Sequence, residues 1–547
     1  MKNKDYVFRL LSLACLTIIP VYPNVAYALA NNSGVTYILT SLIFSLPIIV
    51  LISLCRHKWV YCVLAPILTI LALIDLTMVD LYQDYLHSGG IISTIKTNPQ
   101  EASEFYNTNF SEVFRWTPIV LICVVSCVLY KTSTNRKTSV YIVIAALLVA
   151  PIFVTYKLVG FYKGHITLRY YIDNRIWNRP PYNVPFQCIN ARKSLQRKKQ
   201  WENMKNINMG AHRTIIPADQ NEIYIFAIGE SLRYDNVSLN GKYRRSTTPR
   251  LETKENNIMI FDDYYSQACL TMFSVPQLVT RATPDNFELN YAERSIIEPF
   301  RECGFKVFTI VSNTNLLSYE KYLSDGVDSL IIVPNVVEDG EILSGDKTMI
   351  HIVDSLAQQH NKLFIMMQFK GNHSFFSNYE KEFELYNPNS NNCSAEKIRD
   401  STMLINAYDN SILYTDYILS SIIDKINRPN TVSAFIFVSD HGEDIGHGGA
   451  GHGGNCTPVI QEYHVPFIFW WSDPYNSLYA DKVTYAQSRK HAKLNGDNIY
   501  YTLCDLADIQ LSEKYNHSSW SVLSSSFAEH ERLILVPDGV TCIHPDK

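Results

Sequence analysis

The chain has 547 residues, too many for one ordinary domain, and 47% of them are hydrophobic. Its formal net charge of -4 argues against a nucleic-acid partner, because no basic excess is available to neutralise a phosphate backbone. The apolar residues are concentrated in the first 160 positions, which makes a membrane the first partner to consider. The rest of the chain is long enough to bury a core of its own.

Five apolar segments approach or reach the length that a helix needs to cross a bilayer core of about 30 Å. They cover residues 10–30, 35–55, 59–80, 116–131 and 138–157, and the fourth is the shortest. Basic residues precede the first segment and lie in the second and fourth connecting loops, which predicts that these regions are cytoplasmic. The sequence therefore predicts a five-span helical anchor, with the amino terminus inside and the carboxyl-terminal domain outside.

The first segment also has features of a secretory signal peptide. Residues 1–4 are basic, and Ala28, Leu29 and Ala30 resemble a cleavage site of small residues. Removal of this segment would leave four spans and the same outer location for the large domain. The loop at residues 82–114, which contains the sequence TNPQEA, is expected on that outer side as well.

A segment rich in basic and aromatic residues follows the last span, from residue 161 to about 208. This mixture suits a lipid headgroup layer, with aromatic rings at the interface and cations near phosphates. A solvated basic linker is the alternative. We therefore divide the chain into a transmembrane domain (1–160), an interfacial linker (161–215) and a periplasmic domain (216–547). Seven of the 12 cysteines lie beyond the spans, and this odd number leaves at least one thiol without an intramolecular disulfide.

The large domain alternates short apolar runs with helical patterns, which predicts an α/β fold around a largely parallel sheet. The clearest strands cover residues 222–228, 306–311, 363–369, 434–438 and 465–470, and the strongest helical periodicity covers 395–426. In such sheets the chemistry gathers beyond the carboxyl ends of the strands. Polar residues follow several of these runs.

Two strand ends carry metal-ligating residue types. Glu230 follows the first strand, and Asp440 and His441 follow the fourth. Two carboxylates and an imidazole are suitable ligands for a divalent metal, with zinc as the first candidate. Each motif alone also fits a structural role, as a helix cap or a turn after a strand.

Thr271 is the candidate nucleophile, because it lies in the segment 267–276, which opens a predicted helix at 274–283 whose amino terminus would stabilise phosphate oxygens. A threonine hydroxyl is a poor nucleophile, and a divalent metal would supply the missing activation. A helix cap is the structural alternative for Thr271. Ser266 and Ser274 are neighbouring competitors for the same role.

The chain resembles the phosphoethanolamine transferases, a membrane-bound branch of the alkaline phosphatase and sulfatase superfamily. The resemblance covers nearly the whole chain and rests on collinear segments, which are TNPQEASEF, IGESLRYDNVSLNGKYRRSTTP, LTMFSVP, KGNHSFFSNYEKEF, LINAYDNSILYTDYIL and SDHGEDIGHGGAGHG followed by HVPF. It implies a sulfatase-like or alkaline-phosphatase-like α/β domain on a transmembrane helical anchor in the bacterial inner membrane.

The resemblance also implies roles for individual residues. Zinc would be held by Glu230, Thr271, Asp440 and His441, and the phosphoethanolamine group would lie beside His373 and His452. Imidazoles at such positions can contact phosphoryl oxygens or protonate a leaving alkoxide. Two further histidines lie close to these motifs in the sequence: His447 is expected in an exposed loop, and His464 is either structural or near a second metal.

One departure from the family pattern concerns disulfides. Related chains commonly bracket the nucleophile with a bridged pair of cysteines, and Gln267 and Gln277 stand at those places here. Cys269 is close but out of register. The spacing from Thr271 to Pro276 is kept, so the nucleophile prediction stands while the usual disulfides are in doubt.

The resemblance implies a two-step transfer. Thr271 would attack the phosphorus of phosphatidylethanolamine and release diacylglycerol, and an acceptor group in the cell envelope would then take the phosphoethanolamine. Lipid A and the lipopolysaccharide core are the leading acceptors. A glycerol-phosphate transferase would use the same anchor and a similar threonine site. A plain sulfatase or phosphatase would need no such anchor.

Overall fold

The computed structural model describes residues 2–31, 33–53, 57–82, 84–96, 117–130, 176–203, 207–312, 320–338, 341–373, 379–389, 398, 400–445, 450–452, 459–536 and 542–546. The chain forms two compact units, Met1–Lys199 and Gln200–Lys547. The loop motif at 97–102, the fifth predicted span at 138–157 and His447 lie outside the described residues.

In its described part, the amino-terminal unit is built from helices and their connecting turns. Its helices are α1 (Lys2–Ala30), α2 (Val35–Ser53), α3 (Lys58–Tyr82), α4 (Ser88–Lys96), α5 (Thr117–Leu129) and α6 (Asn183–Asn203). Three of them are long and apolar enough to cross a membrane, over Val7–Ala30, Val35–Ile52 and Lys58–Asp80, and α5 is a shorter apolar helix. The first three predicted spans therefore correspond to helices of spanning length, and the fourth corresponds to a shorter helix.

Polar side chains inside this apolar unit satisfy one another. Helix α1 packs against α2, α3 and α5. At the centre of this packing the Ser126 hydroxyl lies 2.5 Å from the Tyr61 hydroxyl and donates to the Ser12 carbonyl at 2.8 Å. Polar groups that lack water must find partners within the protein. This network therefore fixes the register of three helices.

A seven-stranded sheet forms the centre of the carboxyl-terminal unit. Its strands are β1 (Asn221–Gly229), β2 (Ile258–Phe261), β3 (Lys306–Val311), β4 (Ser329–Ile332), β5 (Lys362–Gln368), β6 (Thr431–Ser439) and β7 (Phe467–Trp471). Their order is β2-β7-β6-β1-β5-β3-β4. The five strands from β6 to β4 are parallel, whereas β7 runs antiparallel to both of its neighbours.

Helices cover both faces of this sheet. They are α7 (Pro249–Glu252), α8 (Thr271–Val279), α9 (Ile297–Glu302), α10 (Glu320–Ser324), α11 (Asp346–Gln359), α12 (Ser401–Ile426), α13 (Asp473–Leu478), α14 (Ala480–Ser488) and α15 (Asp497–Leu506). One face buries side chains of α8, α9 and α15, and the other buries side chains of α11 and α12. Because both faces are covered, the central strands are apolar at nearly every position.

Five short strand pairs complete the unit. They join His212–Arg213 to Ile509–Gln510, Tyr264–Tyr265 to Leu494–Asn495, Val336–Glu338 to Glu341–Leu343, Asp444–Ile445 to Ala450–Gly451 and Ile534–Leu535 to Cys542–Ile543. The last pair also contacts the nucleophile segment, because Leu535 N donates to the Gln267 carbonyl at 2.7 Å.

All five predicted strands are present, within a few residues of the predicted bounds, and the predicted α/β class is confirmed. Strands β2 and β4 were not predicted, because each is only four residues long. The helix predicted from 274 begins three residues earlier, so Thr271 is its first residue. The helix predicted over 395–426 is described from Ser401.

Candidate active site

The site lies beyond the carboxyl ends of three neighbouring parallel strands. Strands β6 and β1 pair in register, with Ser439 opposite Gly229, so the residues that follow them are adjacent. Asp440 N donates to the Gly229 carbonyl at 3.1 Å, and Asn372, after β5, donates its N–H to the Glu230 carbonyl at 3.0 Å. The sheet order thus brings three polar loops to one edge, as expected for an open α/β sheet.

Glu230, Asp440 and His441 form a buried group of potential metal ligands, each at most 1% exposed. His441 Nδ1 bonds the Gly442 carbonyl at 2.8 Å, which leaves Nε2 facing the carboxylates. This Nε2 lies 3.2 Å from Glu230 Oε1 and 3.5 Å from Asp440 Oδ2. Among the described residues, Asp440 Oδ2 has no hydrogen-bond partner. A buried carboxylate oxygen without a donor beside an inward-facing imidazole fits a divalent cation such as zinc.

The protonation states of this group are mutually dependent. Burial raises the pKa of Glu230, but the hydrogen bond and charge of His441 outweigh it and hold that pKa low. Burial and the nearby Glu230 carboxylate both raise the pKa of Asp440. Burial alone would lower the pKa of His441, and the two carboxylates raise it instead. Two acids thus share one basic partner, and a bound cation would favour both carboxylates in their charged form.

Thr271 lies against this group at the amino terminus of α8. Its Oγ1 is 3.3 Å from Glu230 Oε2 and 3.3 Å from His441 Nε2. The side chain is half-buried and therefore remains accessible to a substrate. The helix amino terminus adds N–H groups and a favourable dipole for an anionic phosphoryl group. The arrangement suits a nucleophilic hydroxyl.

The two competing serines are engaged elsewhere. The hydroxyls of Ser266 and Ser274 both donate to the Asp440 carbonyl, the latter at 2.5 Å. Both side chains are buried. They therefore fasten the nucleophile segment to the strand end that carries Asp440, and Thr271 is the better candidate for attack.

His452 lies at the same site and is held by a residue without a predicted role. Its Nδ1 is 2.9 Å from Glu443 Oε2, and its ring centre is 4.0 Å from that of His441. Glu230, His441 and His452 each offer a ligand atom, and these atoms lie within 4.8 Å of one another. Glu443 stands two residues after His441, and this proximity to a predicted metal ligand is the feature of the sequence that could have identified it. Because Nδ1 is engaged, His452 presents Nε2 to its surroundings.

His373 joins the group from the loop after β5. Its ring centre lies 6.4 Å from that of His452, in an edge-on orientation. Asp346, at the start of α11, holds the preceding turn by accepting from Lys370 N and Gly371 N, each at 3.0 Å. Asp346 was not predicted, because it is remote in sequence and no motif marks it.

Two glycines are required by close backbone approach in these loops. Gly371 has a φ of +51°, and a Cβ there would lie 3.0 Å from the Glu230 carbonyl oxygen. A Cβ on Gly442 would lie 2.1 Å from the Gln461 carbonyl oxygen. Larger residues would displace the loops that carry His373 and His441.

His464 occupies a different environment. Its ring stacks on Tyr234 at 4.4 Å and on Tyr265 at 5.1 Å, and Nε2 lies 3.2 Å from the Asp262 carbonyl oxygen. Burial lowers the pKa of His464. A neutral imidazole between two rings favours the structural role considered for it.

A hydroxyl, two carboxylates and an imidazole at the strand ends of a helix-covered sheet could together hold a divalent metal and present a nucleophile to a phosphoryl group. The chain belongs to the sulfatase family, whose model matches residues 222–509. Phosphoethanolamine transferase EptA of Escherichia coli (strain K12) is 24% identical over 456 residues, 80% of each chain. Kdo(2)-lipid A phosphoethanolamine 7''-transferase of the same organism is 25% identical over 301 residues, covering 53% of this chain and 51% of the relative.

Solved structures agree with this fold. The integral membrane protein lipooligosaccharide phosphoethanolamine transferase A (EptA) from Neisseria meningitidis matches with a TM-score of 0.57 at 18% identity, over 93% of this chain and 97% of that one. The zinc complex of the periplasmic domain of EcEptC from Escherichia coli matches with a TM-score of 0.52 at 21% identity, over 60% and 94%. The resemblance to phosphoethanolamine transferases is thus confirmed.

Proposed function

We propose that this chain is a zinc-dependent phosphoethanolamine transferase of the bacterial inner membrane, with phosphatidylethanolamine as donor and lipid A or the lipopolysaccharide core as acceptor. The observation that carries the proposal is the position of Thr271 Oγ1, 3.3 Å from both Glu230 and His441. The named relatives and the helices of spanning length support the substrate class and the location. The five-span topology and the predicted domain boundaries are part of this proposal.

Glu230, Asp440, His441 and the Thr271 hydroxyl are the proposed zinc ligands. Zinc bound there would lower the pKa of the Thr271 hydroxyl and offset phosphoryl charge. The chain's own contribution is orientation: Ser266 and Ser274 hold the nucleophile segment against Asp440. The α8 amino terminus, where Thr271 lies, would offer N–H groups to the phosphoryl oxygens.

The reaction has two displacements. In the first, the Thr271 hydroxyl gives up its proton as Oγ1 bonds to phosphorus, the bond from phosphorus to the diacylglycerol oxygen breaks, and that oxygen gains a proton. In the second, an acceptor hydroxyl loses its proton as its oxygen bonds to phosphorus, the bond from phosphorus to Thr271 Oγ1 breaks, and the Thr271 oxygen takes up a proton to become a hydroxyl again. A lipid donor remains in the bilayer, so a membrane anchor keeps the enzyme near its substrate.

His373 and His452 are proposed to contact the phosphoethanolamine group and to hold the proton that the leaving oxygen takes. Glu443 keeps His452 oriented through Nδ1, so that Nε2 is the atom available to substrate. The short distance from His452 to His441 and Glu230 also permits metal ligation by His452. The zinc content of a His452→Ala variant decides between these roles, and we expect zinc to be retained.

The proposal is tested with the purified full-length protein and lipids that carry different labelled headgroups, without acceptor. We expect a mass increase of one phosphoethanolamine on the peptide that contains Thr271, and none with phosphatidylglycerol. Label from phosphatidylglycerol would indicate a glycerol-phosphate transferase. Transfer to an acceptor without any covalent adduct in a single turnover would refute the role of Thr271 as nucleophile.

A further inference from the structure

The exposed face of helix α6 changes character along its length. Asn183, Val184, Gln187 and Ala191 are buried and share one side of the helix. The opposite side begins with Pro185, Cys188 and Ile189 and continues with Arg192, Lys193 and Lys199, all exposed. An apolar start followed by a cationic stretch is the composition of helices that lie on lipid surfaces.

The buried side fixes the start of this helix to the membrane-type helices of the same unit. Asn183 Nδ2 donates to Asp75 of α3 at 2.7 Å and to the Leu86 carbonyl at 3.0 Å. The preceding residue, Tyr182, donates its hydroxyl to the Phe44 carbonyl of α2 at 3.0 Å. The exposed apolar residues of α6 therefore begin beside α2 and α3, two helices of spanning length that a bilayer would surround.

Neighbouring aromatic residues fit the same location. Trp177 is 40% exposed and stacks on Phe186 with ring centres 6.1 Å apart, and Ile189 is 55% exposed. A partly exposed tryptophan is typical of the membrane interface. These exposed apolar groups adjoin helices of spanning length, as expected of a surface that contacts lipid.

The charge of the helix selects the kind of lipid. Within Asn183–Asn203 there are five basic residues, at positions 192, 193, 197, 198 and 199, and one acidic residue, Glu202. The whole chain carries a net charge of -4, so this concentration is local. We propose that α6 is a docking surface for the anionic phospholipid headgroups of the bilayer, which its cationic half contacts while its apolar half reaches the acyl boundary.

Hydrogen exchange of the peptide covering 183–203 tests this surface in the full-length protein. The protein is placed in nanodiscs of phosphatidylcholine and phosphatidylethanolamine, with or without phosphatidylglycerol. We expect phosphatidylglycerol to slow exchange by about fivefold or more, the effect of about one basic side chain at an anionic surface. High salt should remove the slowing, because exposed charges are screened.

Three double variants separate the effect of this surface from that of the protein's general charge. R192E/K193E should lose the slowing, whereas K381E/K514E, which changes two exposed lysines of the other unit, should keep it. R192Q/K193Q should also lose it and covers the case in which charge reversal disturbs the helix. Equal exchange with and without phosphatidylglycerol, or equal slowing in R192Q/K193Q, would overturn the proposal.

A third arm separates bulk lipid from acceptor. If lipid A slows exchange and phosphatidylglycerol does not, the surface is an acceptor site and the proposal is wrong. The measurement needs no turnover, so failure of this inference leaves the proposed transfer reaction intact. Conversely, if the protein shows the lipid effect but transfers no phosphoethanolamine, the proposed lipid surface stands and the proposed reaction does not.

Discussion

Two histidines of the carboxyl-terminal unit, the buried His441 and the partly buried His464, lie in opposite kinds of environment. Around His441, buried oxygens of Asp440 and Glu443 have no hydrogen-bond partner among the described residues. Around His464, two aromatic rings and the Asp262 carbonyl engage the imidazole. A buried oxygen without a hydrogen bond is costly to the fold, so its retention beside an inward-facing imidazole favours binding or chemistry over a purely structural role.

The sharpest test of this contrast is Thr271→Ala. We expect transfer to fall by about 10⁴-fold or more, because the nucleophile is lost, while the thermal unfolding midpoint changes little. Thr271→Ser should retain part of the rate. Labelled phosphoethanolamine transfer and calorimetry measure the two quantities. An alanine variant with the wild-type rate would remove Thr271 from the mechanism.

The metal group is tested by Asp440→Ala, with Asp262→Asn as a matched control from the His464 region. Loss of Asp440 should lower zinc content and rate together, by more than the 10- to 100-fold typical of residues that only support a ligand. The Asp262→Asn protein should keep its zinc. Metal analysis of both purified proteins checks this, and a fully active enzyme after chelation would contradict zinc dependence.

Glu443→Gln should have an intermediate effect. Glutamine keeps the shape but not the charge that orients His452, so we expect a loss of about 10- to 100-fold in rate with zinc retained. Glu443→Asp should recover part of that loss. A fall in zinc content of the glutamine variant would instead place His452 among the metal ligands.

His464→Ala should affect stability rather than chemistry. Loss of two ring contacts should destabilise the protein by about 1–3 kcal/mol, with a nearly unchanged rate per folded molecule. His464→Phe should keep most of the stability. A zinc loss or a large rate loss in the phenylalanine variant would return His464 to the active site.

The same residue gives the smallest expected effect, on pH dependence. Burial lowers the pKa of His464 below its ordinary value of 6.5, so the unfolded chain takes up the proton first as pH falls through 6.5. Wild-type stability therefore decreases toward acid pH, and His464→Phe lacks this contribution. Unfolding midpoints at pH 7.5 and 5.5 should shift in favour of the phenylalanine variant, and a pH-independent difference would contradict the lowered pKa.

Sequence reasoning reached the parts of the site that are local in the chain. Glu230 and the pair Asp440 and His441 were found because each directly follows a predicted strand. The resemblance added His373 and His452. Glu443 and Asp346 were missed, because their contribution is a contact to a loop that the chain reaches only after folding.

The amino-acid sequence by itself determined which segments are apolar enough to span a membrane, which become buried strands and which polar residues follow those strands. These properties depend on neighbouring residues only. The tertiary structure decided that β6, β1 and β5 are adjacent, that Ser266 and Ser274 bond the Asp440 carbonyl, and that His464 lies between aromatic rings. Strand order and side-chain partners depend on pairings between distant segments, and the free energy of those pairings belongs to the whole sheet rather than to any one motif.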